Sequence, residues 1–377
     1  MIEIKKFDKA RHLFGQLEAF QPMCTAVLEG IWPGQVWVDD VAKPKAGLLI
    51  TFLSGGGAAW CFLAGNSDNS DFNVALNKAI FEDKVAGKEI GTFLLTCTPE
   101  DWGGQLSTIG DPRQPAAMAR RHYVCREMTY DWRTNLPDGY TVKPLETNLL
   151  KQDEEKLPAQ VKATLGKWMS IQDQKFQDYG FVVIQENRVV SWATVDFVAA
   201  GKGDLGFETL PEFRKRGLGS TVAAATLEHG IAQGLEVHWT CSEDNLGSQR
   251  SAEKLGLKRE RDYVMYLFAL DVHIHMAQVA YSKLAKGKHR EAVEIYEQLF
   301  AQKADVPIWA YFDTAQACAA LGDAEKALKY LQMAVKQGWS AASLTEQTPE
   351  FKILHEKPEW DALIERMRQA ERQETEN

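Results

Sequence analysis

The stretch from Leu205 to Gln233 constrains the fold more than any other part of the chain. Leu205–Thr209 reads as a short strand and Gly219–Gln233 as an amphipathic helix. Between them stands Pro211-Glu212-Phe213-Arg214-Lys215-Arg216-Gly217-Leu218-Gly219-Ser220. A glycine-rich turn entering a helix leaves several backbone N–H groups without intrahelical partners, all aimed one way. With the positive end of the helix dipole they make an anion site. Gly217 and Gly219 admit a pyrophosphate to the backbone with no Cβ in the way, and Arg214, Lys215 and Arg216 add positive charge. On this reading, Gly217→Val or Gly219→Val pushes a side chain into the phosphate position. The loop is not the nucleotide type, which needs Lys then Ser/Thr after its second glycine. Nor is it a dinucleotide fingerprint, which needs a third glycine where Val222 stands.

The surrounding pattern predicts three regions. Residues 1–133 mix strands (Gln35–Val38, Ala46–Leu53, Ala58–Ala64, Thr92–Cys97) with helices over Asn73–Phe81 and Pro115–His122, and close on a last strand over His122–Met128. Trp132–Asp138 is a linker. Residues 134–270 alternate strand and helix: a hairpin at Gln185-Glu186-Asn187-Arg188, strands over Glu236–Cys241 and Tyr263–Leu270, and a helix over Asn245–Leu255 that Glu243 and Asp244 are expected to cap. Residues 271–377 are helical. There Ala280, Gly287, Ala292 and Tyr296 recur as Ala315, Gly322, Ala327 and Leu331, each at an offset of 35. That is close to the ~34-residue period of tetratricopeptide helix pairs, with glycines where helices turn and alanines where they approach. Glu350–Met367 supplies a capping helix. No Gly/Ser/Pro linker precedes Val272, so this segment is expected to dock on the rest.

The downstream residues complete a resemblance. Arg214-x-x-Gly217-x-Gly219 after a strand is followed by Asn245-x-x-Ser248 and by Ala252-Glu253-Lys254-Leu255-Gly256-Leu257. Both stretches, in that order, resemble the coenzyme-binding half of GNAT acetyltransferases. The resemblance implies an α/β (α+β) fold with a mixed sheet flanked by helices. It implies acetyl-CoA as co-substrate, with the pyrophosphate on Arg216 to Ser220, and an oxyanion donor among the backbone N–H groups of Phe207, Glu208, Thr209 and Leu210. Asn245 and Ser248 at the second helix start would approach the pantetheine or phosphates. Many members carry a tyrosine, thought to protonate the leaving thiolate, where this chain has Ala252. The order of elements in residues 1–133 is compatible with a second GNAT-like half lacking the coenzyme loop, with the acceptor between the halves.

Acyl transfer to an amine also needs a base. Glu208, at the end of the strand beside the acetyl position, is the first candidate, then Asp196 on the preceding strand, then His238 beside Trp239. The expected function is transfer of an acetyl group to a primary amine of a small molecule or peptide. Two alternatives stay open: a coenzyme-binding module without catalysis, and a helical-repeat scaffold that recruits a protein partner. A net charge of -9 without a long Lys/Arg run argues against nucleic acid as a partner. Cys24, Cys61, Cys97, Cys125, Cys241 and Cys318 form no C-x-x-C pair, and no secretory or ~20-residue apolar run is present. A cytoplasmic protein without membrane contact is expected. Ser54-Gly55-Gly56-Gly57 joins two apolar strands and reads as a hairpin. His273-x-His275 lacks a nearby third ligand, so no metal is expected. Trp32, Trp37, Trp60 and Trp102 read as core before pocket lining.

Overall fold

A computed structural model of the chain describes residues 1–52, 57–87, 90–110, 113–145, 180–302 and 306–376. The chain forms two compact units, Met1–Leu267 and Phe268–Asn377.

The first unit is organised on one mixed sheet. Its strands are β1 (Ile2–Ile4), β2 (Gly34–Val38), β3 (Ala46–Phe52), β4 (Ala58–Gly65), β5 (Thr92–Thr98), β6 (Ala116–Cys125), β7 (Thr141–Pro144), β8 (Gly180–Gln185), β9 (Arg188–Ala199), β10 (Lys202–Thr209), β11 (Glu236–Ser242) and β12 (Lys258–Ala269). Helices α1 (Arg11–Glu18), α2 (Pro22–Leu28), α3 (Ser70–Phe81), α4 (Trp102–Ile109), α5 (Leu218–Ala232) and α6 (Leu246–Lys254) accompany them. The spatial order β1-β2-β3-β4-β5-β12-β6-β11-β10-β9-β8-β7 shows two six-strand halves with their last strands exchanged. β12 lies between β5 and β6, and β6 pairs antiparallel with both β12 and β11. A mixed α/β sheet flanked by helices is what the resemblance implied.

Pro115–His122 is not a helix. Ala116–Cys125 is strand β6, central in the sheet, and Tyr123, Val124 and Cys125 are buried there. Ala, Met and Arg favour helix in isolation, but pairing on both edges overrides that weak preference. At the β8–β9 hairpin Glu186 and Asn187 both have positive φ (49° and 64°), as a two-residue primed turn requires. Residues Ser54–Gly56 lie outside the described residues; the flanking strands β3 and β4 pair antiparallel. Trp32 and Trp102 are core, their indole N–H groups donating to the Phe52 and Gly65 carbonyls.

Helix α5 is not amphipathic. Every residue from Thr221 to Leu227 is buried, because the helix packs on β8–β11 while Met128, Tyr130, Trp132 and Leu136 pack against the same core. Three alanines, Ala223–Ala225, let it lie close to its neighbours.

In the second unit α7 (Val272–Ala285), α8 (His289–Ala301), α9 (Ile308–Ala320) and α10 (Ala324–Lys336) form two helical hairpins, followed by α11 (Ala342–Gln347) and α12 (Pro358–Glu376). Gly287 and Gly322 turn the hairpins with φ of 70° and 81°. Ala280, Ala292, Ala315 and Ala327 are fully buried where the helices meet. The 35-residue offset is thus a structural repeat.

Candidate active site

The two halves treat their central parallel strand pair differently. In the first, β4 and β5 stay paired from Ala58↔Thr92 to Ala64↔Thr98. In the second, β10 and β11 pair only from Lys202↔Glu236 to Asp204↔His238, while β10 continues alone along β9 to Thr209. Phe207 and Trp239 meet edge to face at 4.9 Å beyond the point where pairing ends. The result is a cleft of about 640 Å³, lined from β10, the following loop and the starts of α5 and α6.

Backbone direction follows from two hydrogen bonds. Leu210 N–H donates to the Val190 carbonyl, and the Glu208 carbonyl accepts from Ser191 Oγ at 2.7 Å, so both residues turn their polar backbone toward β9. Strand groups alternate, so the N–H groups of Phe207 and Thr209 point the other way, into the gap where β11 has left. Of the four N–H groups among which an oxyanion donor is expected, those of Glu208 and Leu210 thus turn to β9 and those of Phe207 and Thr209 to the gap.

The loop is shaped by backbone more than by charge. Lys215 (φ 64°) and Gly217 (φ 83°) both lie in the left-handed region, and Gly217 caps α5. Thr221 N–H is the first of the helix to return a bond, to Gly217 O, which leaves those of Leu218, Gly219 and Ser220 facing the cleft end. A Cβ on Gly217 meets nothing within 4 Å, whereas one on Gly219 would stand 3.1 Å from both the Phe207 ring and Thr209 Oγ1. Gly219 therefore faces the strand wall, whereas Gly217 faces open space.

Of the expected coenzyme residues, Phe207, Thr209, Arg214, Lys215, Gly217, Leu218, Gly219, Ser220, Asn245 and Ser248 line the cleft together. Arg216 and Leu210 do not. Arg216 donates to Tyr140 Oη (2.9 Å) and the Glu212 carbonyl and lies over the Phe213 ring; Leu210 is buried with Val182 and Trp192. Arg214 Nε returns to the Thr209 carbonyl at 3.1 Å, tying loop to strand. Phe213, Gly247 and Ser251 also line the cleft; only their proximity to the motifs marks them in the sequence.

Asn245, not Glu243 or Asp244, caps α6. Its Oδ1 accepts from Ser248 N–H at 3.0 Å, while Glu243 pairs with Arg121. Ser248 Oγ in turn accepts from the Trp239 indole at 3.0 Å. Ala252 is fully buried in the core, so no hydroxyl reaches the cleft from that position.

The three base candidates are spread out. Glu208 is exposed and lines the cleft. Asp196 stands on β9 opposite Asp204 of β10, whose carboxyl is raised to about 7 by burial and by the charge of Asp196, against the pull of Arg120. His238 is 1% exposed and off the cleft wall. Its Nε2 meets Glu236 Oε1 at 3.1 Å and its Nδ1 meets His122 Nε2 at 2.9 Å. With the carboxylate accepting from Nε2–H, His238 Nδ1 is the acceptor and His122 Nε2–H the donor. Burial lowers the pKa of both rings, that of His122 to about 4 with the help of the His238 charge.

Among the described residues the first half has no comparable loop. Its turn from β4 into α3 carries Asp68, Asn69 and Asp71, and Asn69 caps the helix. Acidic groups at that helix start oppose a phosphate. Among the described residues no group of His, Cys, Asp and Glu has the makings of a metal site, and no helix is long and apolar enough to cross a membrane. His275 accepts from Ala269 N–H and stacks on Phe268.

Residues 11–266 match the family described as GNAT acetyltransferase. YdfB of Bacillus subtilis (strain 168), described as an uncharacterized N-acetyltransferase, is 26% identical over 243 residues, 64% of this chain and 88% of that one. A GCN5-related N-acetyltransferase-like protein from Streptococcus suis 89/1591 superposes with a TM-score of 0.50 at 21% identity, covering 70% of this chain and 98% of its own.

Proposed function

Because the chain belongs to the GNAT acetyltransferase family and is an acyltransferase, we propose that it moves an acetyl group from acetyl-CoA to a primary amine of a small molecule or peptide. One observation carries the reading: the separation of β10 from β11 beyond Asp204, leading straight into the open N-terminus of α5.

The residues fit the coenzyme. Free N–H groups of Leu218, Gly219 and Ser220, open space above Gly217, and Lys215 on the cleft wall suit a pyrophosphate. Asn245 and Ser248, held by their own hydrogen bonds, border the other arm. Bound there, acetyl-CoA supplies a thioester, whose acyl carbon the amine attacks with loss of the thiol. The Phe207 N–H, fixed on the open edge of β10, is placed to stabilise charge growing on the carbonyl oxygen. Glu208 accepts the proton that the amine sheds. It is the cleft's carboxylate and is exposed enough to pass the proton to water.

The buried Ala252 favours one competing reading, a coenzyme-binding module without turnover. Thiol release from acetyl-CoA, measured over a panel of amines, separates the two. Acceptor-dependent release is expected. Tight coenzyme binding with no release for any amine would assign the binding-only role.

In the second unit, the 35-residue repeat of hairpins supports a tetratricopeptide-like array that recruits a protein partner. The six unpaired cysteines suit a reducing compartment, which supports the cytoplasm as the place of action.

A further inference from the structure

On the sheet face opposite α5, three strands bring Asp196, Asp204 and Arg120 to one side of the sheet. Asp204 of β10 stands in register with Asp196 of β9, at the last position where β10 pairs β11. Side chains directly opposed across paired strands share a face, and so do alternate residues along a strand. His238 of β11, in register with Asp204, and Thr240 are therefore on the Asp204 face, together with His122 of β6 opposite Thr240 and Arg120 opposite Ser242. Arg120 Nη2 donates to Thr240 Oγ1 at 3.2 Å. Its charge is felt at Asp204, yet among the described residues no ion pair within 4 Å joins the two.

Three polar atoms on this face are sealed from water without a hydrogen-bond partner among the described residues: Asp204 Oδ1, Arg120 Nε and His122 Nδ1. Buried polar atoms are normally satisfied, so a carboxyl oxygen and a guanidinium Nε left without partners on one sheet face point to something that takes them up. There is room. Gly206, next on the same face of β10, is exposed, and a Cβ there would come only within 3.9 Å of Thr194 Oγ1 and 4.0 Å of Asp196 Oδ2. The missing side chain leaves a notch beside a carboxylate oxygen. The following residue on that face, Glu208, lines the cleft.

We propose that Asp204, Asp196, Arg120 and the Gly206 notch form the acceptor subsite, and that the acceptor is a zwitterionic amine of the α-amino acid class. The ammonium lies on the two aspartates and the carboxylate on the Arg120 guanidinium, whose planar fork suits a carboxylate. The inference rests on the acetyl-transfer reading, since Glu208, two residues beyond Gly206 on the same face of β10, lines the cleft. The groups facing Asp204 are Asp196 from β9, Arg120 from β6 and His238 from β11, with Lys202 on its own strand. A bound ammonium favours the ionised pair. Acceptor binding therefore strengthens as pH rises through about 7, where Asp204 loses its proton.

The test is calorimetry on the full chain with coenzyme A present, titrating each common amino acid and its matched amine lacking the carboxylate. At least one amino acid is expected to bind at pH 8 ten-fold or more tightly than its amine. Arg120→Gln should abolish that preference, and Arg120→Lys should restore only part of it. Asp204→Asn should remove the rise of affinity with pH. Gly206→Ala, whose Cβ meets only ordinary contacts, should weaken binding of the amino acid in a folded protein. No amino acid binding, equal affinity for both members of each pair, or a preference that survives Arg120→Gln would overturn the proposal. Acetyl-CoA affinity is followed in parallel. Its absence in the unmodified chain is a failure of the acetyl-transfer reading, and amino acid binding that depends on Arg120 would still stand.

Discussion

Gly217 shows how little of the proposed coenzyme loop lives in its side chains. Its φ of 83° costs any other residue about 1–2 kcal/mol, and the space above it is open. Gly217→Val is expected to weaken acetyl-CoA binding more than ten-fold, by strain and by filling that space; unchanged affinity in a folded variant would remove the site. The glycines and Arg214 were legible because a turn into a helix is a local event. Two neighbours were not: Lys215 takes a left-handed φ without being glycine, and Arg216 turns away to Tyr140, a partner 76 residues distant. Glu208→Gln should lower turnover by about 10²–10⁴-fold while coenzyme affinity holds. Near-normal turnover across pH would move the proton to another group. Asp204 makes a prediction of opposite sign for stability. Its folded pKa is raised, so its contribution is present below the unfolded value of 3.8 and is lost as pH rises through about 7. Asp204→Asn should therefore melt higher than the parent at pH 8 and show no such gain near pH 4. A lower melting temperature at pH 8 would make Asp204 an ordinary structural carboxylate.

Single elements were read well where their pattern is local. The β8–β9 turn, the helix after Gly217 and the hairpins around Gly287 and Gly322 each follow from a few residues of known backbone preference. Strand β6 was misread, because what makes it a strand is pairing with β11 and β12, both more than 100 residues later in the chain. The same pairing brings His122 and His238 into contact, a meeting no sequence window contains. The pair has a measurable signature. Its rings are held neutral in the fold, while the unfolded chain takes up protons below about 6.5. The folded pKa is depressed, so the stabilisation is complete above pH 6.5 and falls away toward pH 4, by about 3 kcal/mol for His122 alone. Urea unfolding at pH 7.5 and pH 4.5 checks this. His122→Asn should lose markedly less on acidification than the parent, and an equal loss would place the acid sensitivity elsewhere.

At the scale of the first unit, the halves share one plan and differ in one gap. Continuous pairing of β4 with β5 leaves no room where β10 and β11 stand apart, so one half holds the cleft and the other closes the sheet. The exchange of β6 and β12 binds them together. Residues 1–133 alone would leave β5 and β6 without the strand between them, exposing unpaired edges. That fragment is expected to aggregate or remain unfolded by circular dichroism; a cooperative, monomeric fold would show that the exchange is dispensable. Similar element order was visible in the sequence, but exchange was not, since nothing local distinguishes a strand that pairs within its half from one that crosses. The exchange also sets a schedule on the ribosome. About 140 residues must be made between the end of β6 and the end of β12. At about 5–20 residues per second, the gap beside β5 stays open for roughly 7–28 s in each newborn chain. During that interval two sticky edges of the nascent protein depend on chaperones, or on the speed of translation itself, to keep from joining those of a neighbour.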